Sequence, residues 1–270
     1  MTHLQSVVTP AAHSREHQRR FTFPVSDGEA GIETAQPLAQ RAITAITELV
    51  QQHHRSFSQS DTDSLLRTIS RRDGGSFEFP PEAERLFGLF DAVSAATGGA
   101  GAPMMASPDG AHSPSWVCDV AHSGTTLTTR RALSIDVGAA GTGHLVDLVT
   151  ELLHRLGADD FVINTTNGIR HSGSVPLPIA LRHPDDPSLA VGVATVTDQA
   201  LCATAAESDG SVCATWVVAA EAATANAIGK ELFSTPPSRL ARYFRFSYIR
   251  LFHDGHAEIS RTFPGALFTK

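Results

Sequence analysis

The sequence predicts an α+β fold in which largely antiparallel sheets are flanked by helices. Amphipathic helical segments are interspersed with β-branched runs, and many of these runs are close enough in sequence to form hairpins. Hairpin spacing favours antiparallel pairing, because a parallel pair needs a long crossover connection. With 270 residues, the chain can bury a core as one large domain or as two lobes.

Composition limits the classes of partner. The formal net charge is −7 and no long basic stripe is present, so nucleic acid is not expected as a partner. No apolar stretch reaches the length of a membrane span, and residues 1–20 lack the apolar segment of a signal peptide. Three cysteines without paired metal spacing argue against a disulfide framework. We therefore expect a cytoplasmic protein with no membrane anchor.

The N-terminal half is predicted to carry two main helices. Apolar residues recur at helical spacing over 42–50 and again over 83–93, where the helix opens at Pro80-Pro81. Glycine and proline end the second helix at 97–103. The other expected elements are a strand at 20–25, a short helix after the polar turn at 57–64, a loop at 103–115 and a hairpin at 115–129.

The C-terminal half is predicted to alternate short strands with two helices. One helix carries apolar residues from Leu145 to Leu156 and ends at Gly157, and the other covers 221–233. The expected strands are 161–164, 177–181, 189–196, 200–204, 212–219, 244–252 and 257–261.

Residues 134–147 are predicted to form a strand, a glycine-rich turn and the start of a helix. Glycine lacks a Cβ atom and lets a backbone approach a ligand, and a helix N-terminus favours an anion such as phosphate. Thr142 has no neighbouring Lys as in a P-loop, and the spacing of Gly138, Gly141 and Gly143 does not match the dinucleotide fingerprint. Two interpretations stay open, a phosphate-binding turn and a plain connection between packed elements.

Four segments, taken in order, resemble the ApbE family of FAD:protein FMN transferases. The segments are 57–64 with Gly74-Gly75, then 97–103, then 134–147 with 161–164 and 179–187, and finally 225–233. Their order and spacing fit the family over nearly the whole chain. The resemblance implies a two-lobed domain over residues 20–265 with a cleft between the lobes. The polar residues 1–19 are predicted to form a disordered tail, and residues 266–270 a C-terminal tail.

The resemblance also implies a reaction. FAD is the substrate, a magnesium ion sits on its pyrophosphate, and a Ser or Thr hydroxyl of a target flavoprotein attacks the FMN phosphorus while AMP leaves. In such phosphoryl-type transfer, positioning and charge neutralisation supply most of the acceleration, and a divalent ion acts as a Lewis acid.

Site residues follow from the same resemblance. It assigns FAD binding to Ser60, Ala100, Gly101, Ala102, Asp136, Gly138, Thr142, Asn164 and Thr204. It assigns the metal to Ala139 and Asn226, and catalysis to Asn226 and Lys230.

The metal positions depart from the family pattern. Asn226 and Lys230 stand where the family has Asp and, four residues on, Thr, and this spacing is expected to point both side chains into one site. An amide offers only a neutral oxygen and an ammonium offers none, whereas magnesium prefers oxygen ligands with a carboxylate among them. Magnesium, which the family implies, is therefore expected to bind poorly.

Other substitutions agree with this expectation. Thr142 replaces a Lys, Ser60 replaces an aromatic residue, and Gly101-Ala102 replaces Phe-Asp. The family's His-rich segment has no counterpart, because residues 207–210 bridge directly between two strands.

Two functional hypotheses remain. The first is an active transferase in which the Lys230 ammonium neutralises pyrophosphate charge in place of the metal. The second is a catalytically impaired relative that serves as a flavin-binding or partner-binding module. Simpler roles also stay open, because Asp136 can cap the glycine turn and Lys230 can complement a helix dipole. An unrelated small-molecule enzyme on this fold is a third, weaker alternative.

Overall fold

A computed structural model of the chain describes residues 8–10, 19–107, 110, 113–186, 188–206 and 210–268. The helices are α1 (Gln40–Phe57), α2 (Leu65–Arg71), α3 (Ala83–Thr97), α4 (Trp116–Asp119), α5 (Gly138–Arg155), α6 (Ala222–Glu231) and α7 (Pro237–Leu240). The strands are β1 (Val8–Pro10), β2 (Arg19–Val25), β3 (Gly28–Thr34), β4 (Gly75–Glu78), β5 (Met104–Ala106), β6 (Val120–Ser123), β7 (Thr126–Thr129), β8 (Ser134–Asp136), β9 (Phe161–Asn164), β10 (Gly168–Ser172), β11 (Leu177–Arg182), β12 (Ala190–Val196), β13 (Ala200–Ala205), β14 (Val212–Ala219), β15 (Ser247–Phe252), β16 (Ala257–Ile259) and β17 (Gly265–Leu267).

The strands form antiparallel sheets, which confirms the predicted α+β class. The largest sheet has eight strands in the order β16-β15-β14-β13-β10-β9-β3-β2. A second sheet has the order β1-β11-β12-β17, and two smaller sheets are β4-β7-β6 and β5-β8. Each of these pairings is antiparallel.

The eight-stranded sheet is covered on both faces. Helices α1, α5 and α6 pack on one face through Ile46, Val149 and Ile228. The second sheet packs on the other face, where Leu181 and its neighbours contact a cluster that includes the fully buried Trp216. Apolar burial on both faces explains why central strand β14 is buried along its whole length.

A third apolar cluster holds α2 and α3 against the small sheet β4-β7-β6. Its core includes Phe77, Phe87 and Phe90, and Trp116 of α4 packs edge-on against Phe90. Ile135 of β8 belongs to the same cluster. This cluster therefore fixes the strand that leads into the glycine-rich stretch.

The glycine-rich stretch differs from its prediction. Helix α5 begins at Gly138, so Gly141 and Gly143 lie inside the helix and only Gly138 has a turn-like φ, of +52°. A Cβ atom on Gly143 would lie 2.6 Å from the backbone of Ala222. Gly143 is therefore needed for the close crossing of α5 and α6. The predicted end of α5 is confirmed, because Gly157 has a φ of +82° just after the helix.

Other differences concern short strands and the chain ends. Strands β3, β4, β10 and β17 were not expected, and β5 lies inside the segment predicted as a loop. Strand β1 pairs with β11 although it falls in the predicted N-terminal tail, and β17 continues past the predicted boundary at residue 265. The predicted bridge at 207–209 lies outside the described residues.

Candidate functional site

A cavity of about 330 Å³ lies beside the first turns of α5. The end of α1, the turn that follows it, the end of β8 and the end of β2 form its other walls. Four residues that the sequence assigned to FAD binding line this cavity, namely Ser60, Asp136, Gly138 and Thr142. The fold thus brings together residues that are far apart in sequence.

Helix α5 presents one face to the cavity. Gly138, Gly141, Thr142 and Leu145 all line it, at the spacing of one helical face. The Asp136 carboxylate accepts a hydrogen bond from the backbone N–H of Gly138 at 2.8 Å, so it caps the turn before the helix. Other N–H groups of a first helical turn lack carbonyl partners within the helix and favour an anion.

The turn between β2 and β3 supplies residues that the sequence analysis missed. Ser26 lines the cavity, and its hydroxyl lies 2.7 Å from that of Thr142. Thr142 also donates to the Asp27 carboxylate at 3.2 Å, and Asn167 donates to the same carboxylate at 3.3 Å. A turn sequence of Ser-Asp-Gly predicted only a strand end, because nothing local indicates that it meets α5.

Two buried histidines lie at the cavity, where His53 is part of the lining and His144 is not. The rings of His53 and His144 are 5.6 Å apart, and burial lowers the pKa of His53 to about 3 and that of His144 to about 4. His144 Nε2 lies 3.0 Å from the carbonyl oxygen of Glu82. Both imidazoles are therefore neutral at pH 7.

A second hollow, of about 480 Å³, contains a different part of the predicted site. Ala100, Gly101, Ala102 and Lys230 all line it. The Lys230 ammonium is 2.7 Å from the thioether sulfur of Met104, which is only a weak acceptor. Next to it, the Glu231 carboxylate accepts from the backbone N–H of Ala102 at 3.0 Å, and burial raises the pKa of Glu231.

Asn226 has buried surroundings that Lys230 does not share. The thiol of Cys202 donates to Asn226 Oδ1 at 2.9 Å, and Asn226 Nδ2 donates to the carbonyl of Ala222 at 2.9 Å. Burial raises the pKa of the Cys202 thiol to about 12, so it remains a donor. Asn226 is 7% exposed whereas Lys230 is exposed. Asn226 lines a small pocket with Cys202, whereas Lys230 lines the second hollow, and their shared role in one site stays a prediction.

The remaining predicted site residues, Thr204, Asn164 and Ala139, line neither the cavity nor the second hollow. The Thr204 hydroxyl lies 3.8 Å from the Cys202 sulfur, next to Asn226. Asn164, at the end of β9, donates to the Glu33 carboxylate at 3.1 Å. Ala139 lies in the first turn of α5 and is half-buried. The roles assigned to all these residues stay predictions.

One carboxylate joins the two helices of the site. Asp147 of α5 accepts from the backbone N–H groups of Ala222 and Ala223 at 2.7 and 2.9 Å, at the start of α6. Burial raises the pKa of Asp147 to about 7, although these two hydrogen bonds oppose that rise. Asp147 therefore anchors the helix that carries Asn226 and Lys230.

The sequence model of the ApbE family matches residues 29–209, which is more than half of the chain. The chain belongs to the ApbE family. No curated protein matches it in sequence. Among the described residues, no helix combines the length and apolar character needed to cross a membrane.

Solved ApbE structures share the fold. A variant of the flavin transferase ApbE from Vibrio cholerae superposes with a TM-score of 0.75 at 18% identity, over 91% of this chain and 98% of that one. The apo flavinyl transferase ApbE from Pseudomonas stutzeri gives a TM-score of 0.73 at 15% identity, over 91% and 95%. The ApbE protein from Thermotoga maritima gives 0.72 at 14% identity, over 91% and 98%.

Asn226 and Lys230, which stand where the resemblance implies metal ligands, do not fit a magnesium ion. The Asn226 oxygen is already used as an acceptor by the Cys202 thiol, and Lys230 brings a positive charge. No group of three or more His, Cys, Asp or Glu side chains with metal-binding geometry occurs in the part of the chain that the structure describes. A hard cation requires several oxygen ligands, usually with a carboxylate among them.

Proposed function

We propose that this ApbE-family chain is an FAD:protein FMN transferase that uses FAD as its substrate. In this reaction a Ser or Thr hydroxyl of a target flavoprotein forms a bond to the FMN phosphorus. The bond between that phosphorus and the bridging oxygen breaks, AMP leaves, and the hydroxyl loses its proton. Residues 20–265 would supply the two lobes between which FAD binds.

The observation that carries this proposal is the cavity at the first turns of α5. Asp136, Gly138 and Thr142 line it together with Ser60 of a distant turn, so four predicted FAD-binding residues converge there. The positive end of the α5 dipole favours a phosphate at this position. Family membership and the shared fold support the same substrate.

Lys230, which lines the second hollow, is the residue that we propose as the cation for the FAD pyrophosphate. Its ammonium is exposed and contacts only the Met104 thioether among the acceptors that the structure describes, so a phosphate oxygen would be a stronger partner. A lysine supplies one positive charge where the family's magnesium supplies two. Asn226 would contribute through the packing of α6 rather than as a metal ligand.

A second candidate function is a flavin-binding or partner-binding module without turnover. The hydrogen bond from Cys202 to Asn226 favours it, because it occupies the oxygen of the residue at the family's metal position. This candidate keeps the cavity and its ligand but not the transfer step.

The two candidates are separated by measuring AMP. The purified chain is incubated with FAD and a candidate acceptor protein, with magnesium in one set and a chelator in the other. Transferase activity predicts AMP in the supernatant and a fluorescent flavin on the acceptor after denaturing electrophoresis, both absent when the acceptor hydroxyl is removed. Binding of FAD without AMP above the level of an enzyme-free control would contradict the transferase and favour the module.

A matched pair of variants tests Lys230. Lys230→Arg keeps the charge and should retain most activity, whereas Lys230→Met removes it and should lower kcat by ten-fold or more, on the order of 1.4 kcal/mol or more in the barrier. Equal activity of the two variants would exclude an electrostatic role for Lys230.

A further inference from the structure

Two pairs of arginines meet at one end of the sheet β4-β7-β6. Strand β4 pairs with β7 so that Gly75 lies opposite Thr129, which places Arg71 and Arg72 beside Arg130 and Arg131. The backbones are in contact there, because a Cβ atom on Gly74 would lie 2.8 Å from the carbonyl carbon of Arg130. We call these four residues the arginine surface.

The arginine surface is exposed and only partly neutralised. All four side chains are exposed in a chain whose net charge is −7. Arg71 donates to the carbonyl of Thr62 at 3.1 Å, and Arg131 Nε lies 3.8 Å from the Asp119 carboxylate.

The guanidinium groups of Arg72 and Arg130 carry positive charges that no carboxylate among the described residues neutralises. Arg72 lies over the ring of Phe77 at 5.6 Å, and neither Arg72 nor Arg130 forms an ion pair with any residue that the structure describes. Asp73 is the one carboxylate within the α2–β4 connection. Guanidinium groups bind carboxylates in a bidentate geometry, so this surface is suited to an acidic partner.

The surface is connected to the cavity by two short elements. Helix α2 ends at Arg71 and begins just after the turn that contains the cavity residue Ser60, and its 7 residues are about 10 Å long. Strand β8 begins three residues after Arg131 and ends at the cavity residue Asp136, and residues 131–136 span about 16 Å at most. Both elements pack on the same apolar cluster, so the surface and the cavity keep a fixed separation.

We propose that the arginine surface docks an acidic segment of the acceptor protein. This inference rests on the proposed function for the identity of the partner as an acceptor. A carboxylate-rich segment held within about 16 Å of the cavity could deliver a neighbouring Ser or Thr hydroxyl to the phosphate. Charge complementarity of this kind speeds encounter and selects among partners.

The probes are two synthetic peptides of equal length, each with a central Thr. One carries Asp and Glu on both sides of the Thr, and the other carries Lys and Arg. Fluorescence anisotropy of labelled peptides should show that the acidic peptide binds more tightly, and that its affinity falls as salt is added because the charges are exposed.

A matched pair of double variants localises the binding. Arg72→Glu with Arg130→Glu should weaken acidic-peptide binding about ten-fold or more. Arg242→Glu with Arg245→Glu makes the same change in net charge at other exposed positions and should leave that affinity nearly unchanged. FAD affinity, measured by flavin fluorescence, should be the same in both variants.

The outcomes separate this proposal from the transferase activity. Equal binding of the two peptides, or equal weakening by the two double variants, would overturn the docking surface. A DNA duplex that binds more tightly than the acidic peptide would overturn the choice of a protein partner. Acidic-peptide binding that is weakened only by the Arg72 and Arg130 changes, without FMN transfer, would support the docking surface and count against the transferase. Equal FMN transfer to the acidic and the basic peptide would support the transferase and count against the docking surface.

Discussion

The thiol of Cys202 donates a hydrogen bond to the side-chain oxygen of Asn226 across 2.9 Å. The amide nitrogen of Asn226 is held as well, by the carbonyl of Ala222 at 2.9 Å. Both ends of the amide are therefore satisfied inside the protein. In this ApbE-family chain, the residue at a position for which the resemblance implies metal binding therefore forms hydrogen bonds within the protein instead.

The first prediction concerns magnesium. FAD affinity of the unmodified chain should not change when magnesium is added or chelated, because the donor set lacks a carboxylate. Asn226→Asp with Lys230→Thr should create a magnesium-dependent increase in FAD affinity, measured by calorimetric titration. Lys230→Thr alone is the control. If the double variant gained no response to magnesium, the alignment of α6 with the family's metal positions would be incorrect.

The second prediction concerns Asp147. Its pKa is about 7 in the folded protein, raised by burial from 3.8, so between about pH 4 and 7 the folded state keeps a proton that the unfolded state has lost. Asp147 therefore makes the free energy of unfolding fall as pH rises through this window. Asp147→Asn should remove that fall, and should also cost about 1–3 kcal/mol by leaving one N–H of α6 unpaired.

Urea unfolding at a series of pH values measures both effects of Asp147→Asn. Thr150→Val is the control, because Thr150 is also buried on α5 but donates only to the carbonyl of Val146 within its own helix. The charges of Glu221 and Arg170 act on the Asp147 carboxylate in the unmodified chain and in Thr150→Val alike, so they do not affect the comparison of these two proteins. A variant with the same pH slope as the unmodified chain would contradict the anchoring role.

The third prediction concerns the buried histidines. Burial lowers the pKa of His53 from 6.5 to about 3, so below pH 6.5 the unfolded state takes up a proton that the folded state excludes. Stability is therefore lost as pH falls from 6.5 toward 4, and each pKa unit corresponds to about 1.4 kcal/mol. His53→Phe should reduce this acid sensitivity, as followed by thermal unfolding at pH 7 and pH 5. The exposed His253→Phe is the control and should retain the sensitivity.

The fourth prediction concerns the crossing of α5 and α6. Gly143→Ala would place a methyl group 2.6 Å from the backbone of Ala222, so the helices must separate. We expect a loss of about 1–3 kcal/mol in the free energy of unfolding, because added volume at a packed contact forces the backbone to shift. Gly88→Ala, in α3, meets no atom within 4 Å and should be neutral or stabilising by up to about 1 kcal/mol. Chemical denaturation of both variants decides the matter, and equal effects would refute the packing argument.

Local periodicity accounts for the parts of the fold that could be predicted. Ala42, Ile46 and Val50 recur along α1 and are buried, and Gly157 ends α5 as its position indicated. Strand β10 was missed because Gly168, Arg170 and His171 do not form an apolar run, although all three are buried between β9 and β13. Its strand character comes from its neighbours rather than from its own side chains.

In the candidate site, too, some residues were predicted from the sequence and others were found only in the structure. Residue types and chain order indicated Asp136, Gly138 and Thr142, and the cavity brings them together with Ser60. The contribution of Ser26 and Asp27 could not be predicted, because it depends on a hairpin turn that meets α5 from more than a hundred residues away.

The amino-acid sequence alone determined the fold class, the family and the substitutions at the predicted metal positions, because these depend on residue identity, spacing and order. Only the tertiary structure decided what surrounds each substituted residue. A spacing of four residues places Asn226 and Lys230 at similar angles around α6. Which parts of the protein pack against each turn of α6 depends on other elements of the fold. The first turn of α6 lies against Asp147 and Gly143 of α5, whereas its last turn reaches the open hollow beside Met104.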